Sequence, residues 1–239
     1  WKTAIPWCRG QGCSGKARRC EKMTDEKGSP ARGPEALDRF VAFAASRRSV
    51  RRYLPDPVPE TVLLRILEAA RWAPSAVNSQ PWHFVVVTDP ERKRALYERA
   101  KIAGLVGWSH LVGAPVVVAV VGDPRNNRFY VVDCSLAGMN LLLAAHAAGL
   151  GACWIGGFTE ERIRDVIGVP RTRQIIGLVT LGYPQDTPKA PPRLPLERLV
   201  SREVYDPTVA ATRSERFRLS GLYSLRKRVL TLFRRKRPR

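Results

Sequence analysis

Long apolar runs, histidines, paired cysteines and acidic residues are what this 239-residue chain has least of. The longest apolar stretch, Leu136 to Ala148, is interrupted by Asn140 and His146. It falls short of the roughly 20 residues that a spanning helix needs, so no transmembrane segment is expected. With only three histidines, His83, His110 and His146, neither a Ser-His-Asp nor a Cys-His nucleophile arrangement is evident. The five cysteines contain no CxxC pair. Cys8, Cys13 and Cys20 have four and six residues between them and no histidine nearby, which fits neither a zinc site nor the common iron–sulfur runs, and no metal is expected. Cys134 and Cys153 stand in apolar surroundings and read as small buried hydrophobes in a reducing compartment rather than as a disulfide; the expected location is the cytoplasm.

Acidic residues number 21 against 41 Lys and Arg, a net charge of +20. That excess is uneven. Residues 1–30 hold seven basic and three acidic residues, 213–239 hold eleven and one, and 31–212 hold twenty-three and seventeen. The pI therefore describes two basic ends more than the mildly basic body between them, and charge alone does not mark a nucleic-acid protein. The chain begins at Trp1 and its first methionine is Met23. Residues 1–22 lack the apolar core of a signal peptide and show no helical amphipathicity, and the functional protein is expected to start at Met23.

At 44% hydrophobic and 26% charged, the composition is that of an ordinary globular protein. Leu37, Phe40, Val41, Phe43 and Ala44 recur at helical spacing over Glu35 to Ser46. A second helix carries Val62, Leu63, Ile66, Leu67 and Ala70, with Pro59 in its first turn. His83 to Val87 reads as a strand, and Thr88-Asp89-Pro90 as the N-cap of a third helix through Ala100. Pro115 to Val121 is a continuous apolar strand of the kind covered on both faces. Val131 to Ala148 reads as a central helix closed by Gly149 and Gly151. A short strand over Ala152 to Ile155, a helix over Thr159 to Ile167 capped by Thr159, and a strand over Gln174 to Leu181 follow. No period of 20–50 residues repeats. The prolines from Pro184 to Pro195 force an extended surface run.

Three segments can carry chemistry. Arg47-Arg48-Ser49-x-Arg51 gathers guanidinium forks and a hydroxyl suited to a terminal phosphate, although taken alone it reads more readily as a solvated basic face. Pro74-Ser75-Ala76-Val77-Asn78-Ser79-Gln80-Pro81-Trp82 offers neutral donors and acceptors for a uracil-like ring edge, or else only local turn bonds. In Trp154-Ile155-Gly156-Gly157-Phe158 a strand runs into two glycines, which let backbone N–H groups approach a flat ligand. The dinucleotide fingerprint does not apply, since Gly149-x-Gly151 follows a helix and Trp154 occupies the third glycine's place.

In this order, and with Gly182-Tyr183-Pro184 and Arg193 beyond, the segments resemble the flavin-dependent nitroreductase family over about Ala36 to Val200. The resemblance implies an α+β fold with a central mixed sheet flanked by helices, forming an intertwined homodimer with FMN at the subunit interface. It implies NAD(P)H as donor and a small electron-poor acceptor, such as a nitroaromatic or quinone, in a ping-pong cycle. Arg47, Arg48 and Ser49 would hold the FMN phosphate and ribityl chain, with Arg193 reaching the phosphate. Arg51 would stand near N1/O2 and stabilise the negative charge of the reduced ring. Pro74, Ser75, Ala76 and Asn78 would come from the partner subunit, and Gly156 and Gly157 would lie at N5. Some members carry a second serine where this chain has Ala76, or an acidic residue at Gly156, so substrate preference does not transfer. Flavin destruction, reductive dehalogenation and deazaflavin-linked chemistry remain open, and differ around Tyr97 to Gly113 and Asn126 to Tyr130. Trp82, Trp154 and His83 read as structural rather than as ring-stacking groups.

The expected organisation is a flexible extension over 1–34, an FMN-binding domain over 35–205 and a basic tail over 206–239. From Leu219 the tail alternates Leu, Val and Phe with Arg and Lys. It suits an amphipathic helix on anionic lipid or nucleic-acid phosphate, or equally a solubilising disordered tail. A non-enzymatic flavin-binding scaffold or sensor using that tail is the alternative function.

Overall fold

The computed structural model describes residues 33–101 and 107–210. The expectations for Cys8, Cys13, Cys20, the Met23 start and the tail beyond residue 210 lie outside these residues. The chain divides into two compact units, one ending at Ser46 and one starting at Arg47. In the first, α1 spans Pro34–Ser46. None of its residues is buried, and Leu37, Phe40 and Val41 are exposed.

The second unit is built on a four-stranded sheet of β1 (Trp82–Val87), β2 (Val116–Gly122), β3 (Gly151–Ile155) and β4 (Gln174–Gly182), in the order β1-β2-β4-β3. All three pairings are antiparallel, and the parallel component is the single-residue bridge between Ser49 and Ala152. Every residue of β2 is buried. The reason is two-sided cover: Val116, Val118 and Val120 face a core with Leu63, Ile66, Leu141 and Leu142. Val117, Ala119 and Val121 face a second core with Leu96, Leu111 and Ile163. The first core contains α2 (Glu60–Arg71) and α5 (Tyr130–Ala147), and the second contains α3 (Pro90–Ala100), α4 (His110–Gly113) and α6 (Glu160–Arg164).

Local signals fare unevenly. Asp89 caps α3 as expected, its carboxylate accepting the Arg92 N–H at 3.0 Å with Pro90 in the first turn. Pro59 is the N-cap of α2 rather than a first-turn residue. Gly149, at φ 74°, ends α5, whereas Gly151 opens β3. The helix expected over Thr159 to Ile167 is only Glu160–Arg164, and the Thr159 side chain makes no cap bond. Glu160 instead pairs with Arg164 and accepts the Ile175 N–H at 3.0 Å, tying α6 to β4. Cys134 and Cys153 are buried free thiols, as expected. By length and composition alone the 18-residue α5 is apolar enough to cross a bilayer, a test that a core helix also passes. In the fold its Cys134, Ala137, Gly138, Leu141, Leu142 and Ala145 are buried. Trp154 is a packing residue: a Cβ on Gly138 of α5 or on Gly177 of β4 would stand 2.2 Å from its ring.

Candidate active site

The arginine segment is laid along the open edge of β3. Ser49 bridges Ala152, the Val50 N–H donates to the Ala152 carbonyl at 3.0 Å, and Val50 is 4% exposed. This close approach requires Gly151, whose Cβ would come within 2.6 Å of the Val50 side chain. Farther on, Tyr53 bridges Pro184, the Leu54 N–H donates to Tyr183 O at 2.9 Å, and the Gln185 N–H donates to Arg52 O at 3.0 Å. The Tyr53 hydroxyl donates to Val50 O at 2.6 Å and lies 2.7 Å from Thr180 Oγ1. Its burial raises the phenol well above its ordinary pKa. The sequence reading missed Tyr53, although an aromatic two residues beyond the last cluster arginine is the visible signal.

With the backbone committed to the sheet, the cations gather. The Arg48 guanidinium donates to Arg47 O at 2.8 Å. The Nε of Arg47 is buried without a hydrogen-bond partner, and neither Arg47 nor Arg51 has a carboxylate partner among the described residues. Burial raises the Cys153 thiol pKa, and the opposing pull comes from Arg51 and Arg47. Burial, with Arg51 beside it, pushes His110 down to about 4 and keeps it neutral. An orphaned buried guanidinium nitrogen and two arginines lacking carboxylates are the donor set that a phosphate satisfies, so these residues fit a phosphate-bearing cofactor.

Gly156 and Gly157 follow β3 directly and are exposed. The Trp108 indole N–H donates to Gly157 O at 3.0 Å, and Trp108 meets His110 edge-on at 6.2 Å. Trp108 and His110 thus hold this turn, a role not legible from the sequence. A Cβ on Gly156 would meet Trp154 only at ordinary contact distance, 3.4 Å. The packing of this chain does not itself require glycine there.

The loop from Ala73 to Pro81 holds Pro74, Ser75, Ala76 and Asn78. Three of its non-glycine residues are left-handed: Val77 at φ 48°, Asn78 at 56° and Gln80 at 47°. Asn tolerates this region, but a β-branched residue there is an outlier at roughly 1–2 kcal/mol. Bonds from outside the loop hold it. The Ala76 N–H donates to both Asp133 oxygens at 3.3 and 3.2 Å, and the Asn127 amide donates to Asp133 at 3.1 Å and to Ser79 Oγ. Asp133, 4% exposed in the first turn of α5, is a second missed residue. A lone acid in an apolar helix was its signal.

The structure brings Arg47, Arg48, Ser49 and Arg51 alongside β3, the strand that leads into Gly156 and Gly157. It does not bring the Pro74 to Asn78 loop there. That loop leads into Trp82, opposite Gly122 and one step from Gln174, while Ala152 lies opposite Leu181 and one step from Val116. Loop and arginines therefore sit at diagonal corners of the sheet, about 19 Å apart across four strand spacings and about 20 Å along β2. Arg193 is exposed within the proline-rich run, and no hydrogen bond or ion pair ties it to the arginine cluster among the described residues. The run itself is anchored at its start by the Arg52–Asp186 ion pair.

An antiparallel sheet edged by a cationic segment and a diglycine turn is the arrangement that the resemblance to flavin-dependent oxidoreductases implies. The nitroreductase family profile matches residues 44–183. A Thermus thermophilus protein named NADH dehydrogenase is 39% identical over 194 residues, covering 66% of this chain and 92% of that protein. A 5,6-dimethylbenzimidazole synthase of Rhodospirillum rubrum is 30% identical, covering 71% and 92%. The structure of an FMN-dependent nitroreductase from Clostridium difficile superimposes with a TM-score of 0.59 at 30% identity, covering 63% of this chain and 90% of that one. This chain belongs to the nitroreductase family, and with it to the FMN-dependent NAD(P)H oxidoreductases.

Proposed function

We propose that this chain passes electrons from NAD(P)H to a small electron-poor acceptor, a nitroaromatic, quinone or similar compound, in a ping-pong cycle, and that it does so as a cytoplasmic homodimer. The observation that carries this reading is the diagonal placement of its two polar segments. One chain cannot close its own Pro74 to Asn78 loop over its own arginines, whereas a two-fold partner can present that loop to them. Exposed Val132, Leu136 and Met139, at i, i+4 and i+7 on α5, supply an apolar surface for such a partner. The free thiols of Cys134 and Cys153 accord with a reducing compartment.

FMN, when bound, would supply the two-electron redox chemistry between NAD(P)H and the acceptor. The chain's residues do the rest. Arg47, Arg48, Ser49 and Arg193 bind the phosphate and ribityl chain, and the partner subunit's Pro74, Ser75, Ala76 and Asn78 close over the ring. Gly156 and Gly157 leave room at the reacting edge. Arg51, without a carboxylate partner, stabilises negative charge in a partly desolvated site. A basic tail acting on lipid or nucleic acid is a separate property of residues beyond 210.

The similarity to a protein named 5,6-dimethylbenzimidazole synthase favours one second reading, synthesis of a benzimidazole, beside the flavin destruction that the family resemblance leaves open. The test is the visible spectrum of the purified protein with its sedimentation. A dimer whose flavin band bleaches with NADH or NADPH and returns with a quinone supports the oxidoreductase reading. Flavin lost irreversibly in air supports the second, and a colourless monomer indifferent to FMN overturns both. Arg51→Ala should slow bleaching by NAD(P)H at least tenfold, or lose flavin, in stopped-flow measurements. Wild-type rates at full FMN content would remove Arg51 from this role.

A further inference from the structure

We infer that Asp133 is a positioning residue for the flavin site, holding the strained Ser75–Gln80 loop in the conformation that the partner subunit's FMN requires. The inference rests on the proposed dimeric FMN site. It is carried by a pairing of strain and restraint that the fold alone does not require.

The strain centres on Val77. Asn78 and Gln80 share its left-handed backbone, but Val77 is the β-branched one, and its side chain is 94% exposed. A valine placed at φ 48° and pointed into solvent gains nothing from its own chain's core. Such a conformation persists only where the surroundings over-determine it. Here the restraint comes from one buried carboxylate 57 residues away in sequence. Asp133 takes the Ala76 N–H, immediately before Val77, on both of its oxygens. It also accepts from Asn127, whose amide reaches Ser79 on the far side of the strained pair. Asn127 is oriented in turn, its Oδ1 accepting the Phe129 N–H at 2.6 Å. Asp133 and Asn127 thus bracket Val77 and Asn78 from both sides. The Ser75 hydroxyl, which accepts the Gln80 N–H at 3.0 Å, closes the same turn from within. Without Asp133 the loop relaxes toward right-handed backbone, and only the residual fraction still in the held conformation binds. The apparent dissociation constant rises by the inverse of that fraction.

The experiment is FMN titration of full-length apoprotein, followed by flavin fluorescence, for wild type, Asp133→Ala, Asp133→Asn, Val77→Gly and the Asp133→Ala/Val77→Gly pair. Asp133→Ala should weaken FMN binding by roughly tenfold or more, and Asp133→Asn, which keeps one acceptor oxygen and the side chain's shape, by less. Glycine adopts positive φ freely, so Val77→Gly should restore most of the lost affinity in the Asp133→Ala background. A merely structural role for Asp133 would lower thermal stability without that rescue. Wild-type affinity in Asp133→Ala and Asp133→Asn, or loss of affinity that Val77→Gly leaves unrepaired, would overturn the inference while leaving the FMN site intact. Failure of the wild-type protein to bind FMN would overturn the underlying site and the inference together.

Discussion

Arg47→Ala is expected to release most of the flavin. Arg47 has a buried Nε with no protein partner and no carboxylate to neutralise it among the described residues. The protein has therefore already met the desolvation cost of this group, and the return comes only when an anion arrives. A hydrogen bond to a charged group contributes about 1.5–3 kcal/mol, so losing one such contact should raise the FMN dissociation constant by about ten- to a hundredfold. Arg47→Ala/Arg51→Ala together should be nearly colourless as purified. Arg47→Lys keeps the charge but not the planar fork, and should fall between. Flavin fluorescence titration of apoprotein measures this, and the melting temperature without FMN checks that the fold is intact. If Arg47→Ala binds FMN within twofold of wild type, Arg47 does not contact the phosphate.

The second large effect is on stability. Gly177→Ala should lower the melting temperature by several degrees, because the new Cβ would stand 2.2 Å from Trp154 Cζ2 and 2.5 Å from Cε2. The ring has little room to step aside, since Gly138 faces its other edge so closely that a Cβ there would stand 2.2 Å from Cζ3. Overpacking of this kind costs about 1–3 kcal/mol, and about 2–4 °C follows from each kcal/mol in a unit of this size. Gly138→Ala meets the same ring from α5, but the helix recovers about 1 kcal/mol of propensity, so its loss should be smaller. Trp154→Leu should repair most of the Gly177→Ala loss by vacating the slot. A melting temperature unchanged in Gly177→Ala would show that Trp154 is not wedged between helix and sheet. That outcome would reopen the question of whether the indole serves the ligand instead.

Elements held by neighbours in the chain were legible from the sequence. The stripe of Leu63, Ile66 and Ala70 announced α2, and the unbroken apolar run of 116–121 announced a strand covered on both faces. Asp89 announced its cap. Elements held from a distance were not. Thr159 carries the residue type of an N-cap, yet the helix start is organised by Glu160 reaching Ile175, fifteen residues on. Gly151 carries the residue type of a helix terminator, yet its missing side chain serves Val50. Four-residue α4 is too short to leave a periodic trace, and Trp108 finds Gly157 across 49 residues of chain.

The sequence by itself determined the longer secondary elements, the family resemblance and the chemical character of the cluster Arg47, Arg48, Ser49 and Arg51, because each follows from residues within a few positions of one another. Only the tertiary structure decided that the arginines flank β3 while the Pro74 to Asn78 loop stands at the opposite corner of the sheet. It likewise decided that Asp133 restrains this loop and that Trp154 fills a slot left by two glycines. These facts depend on strand order and side-chain contact between distant segments, and periodicity along the chain carries no record of either.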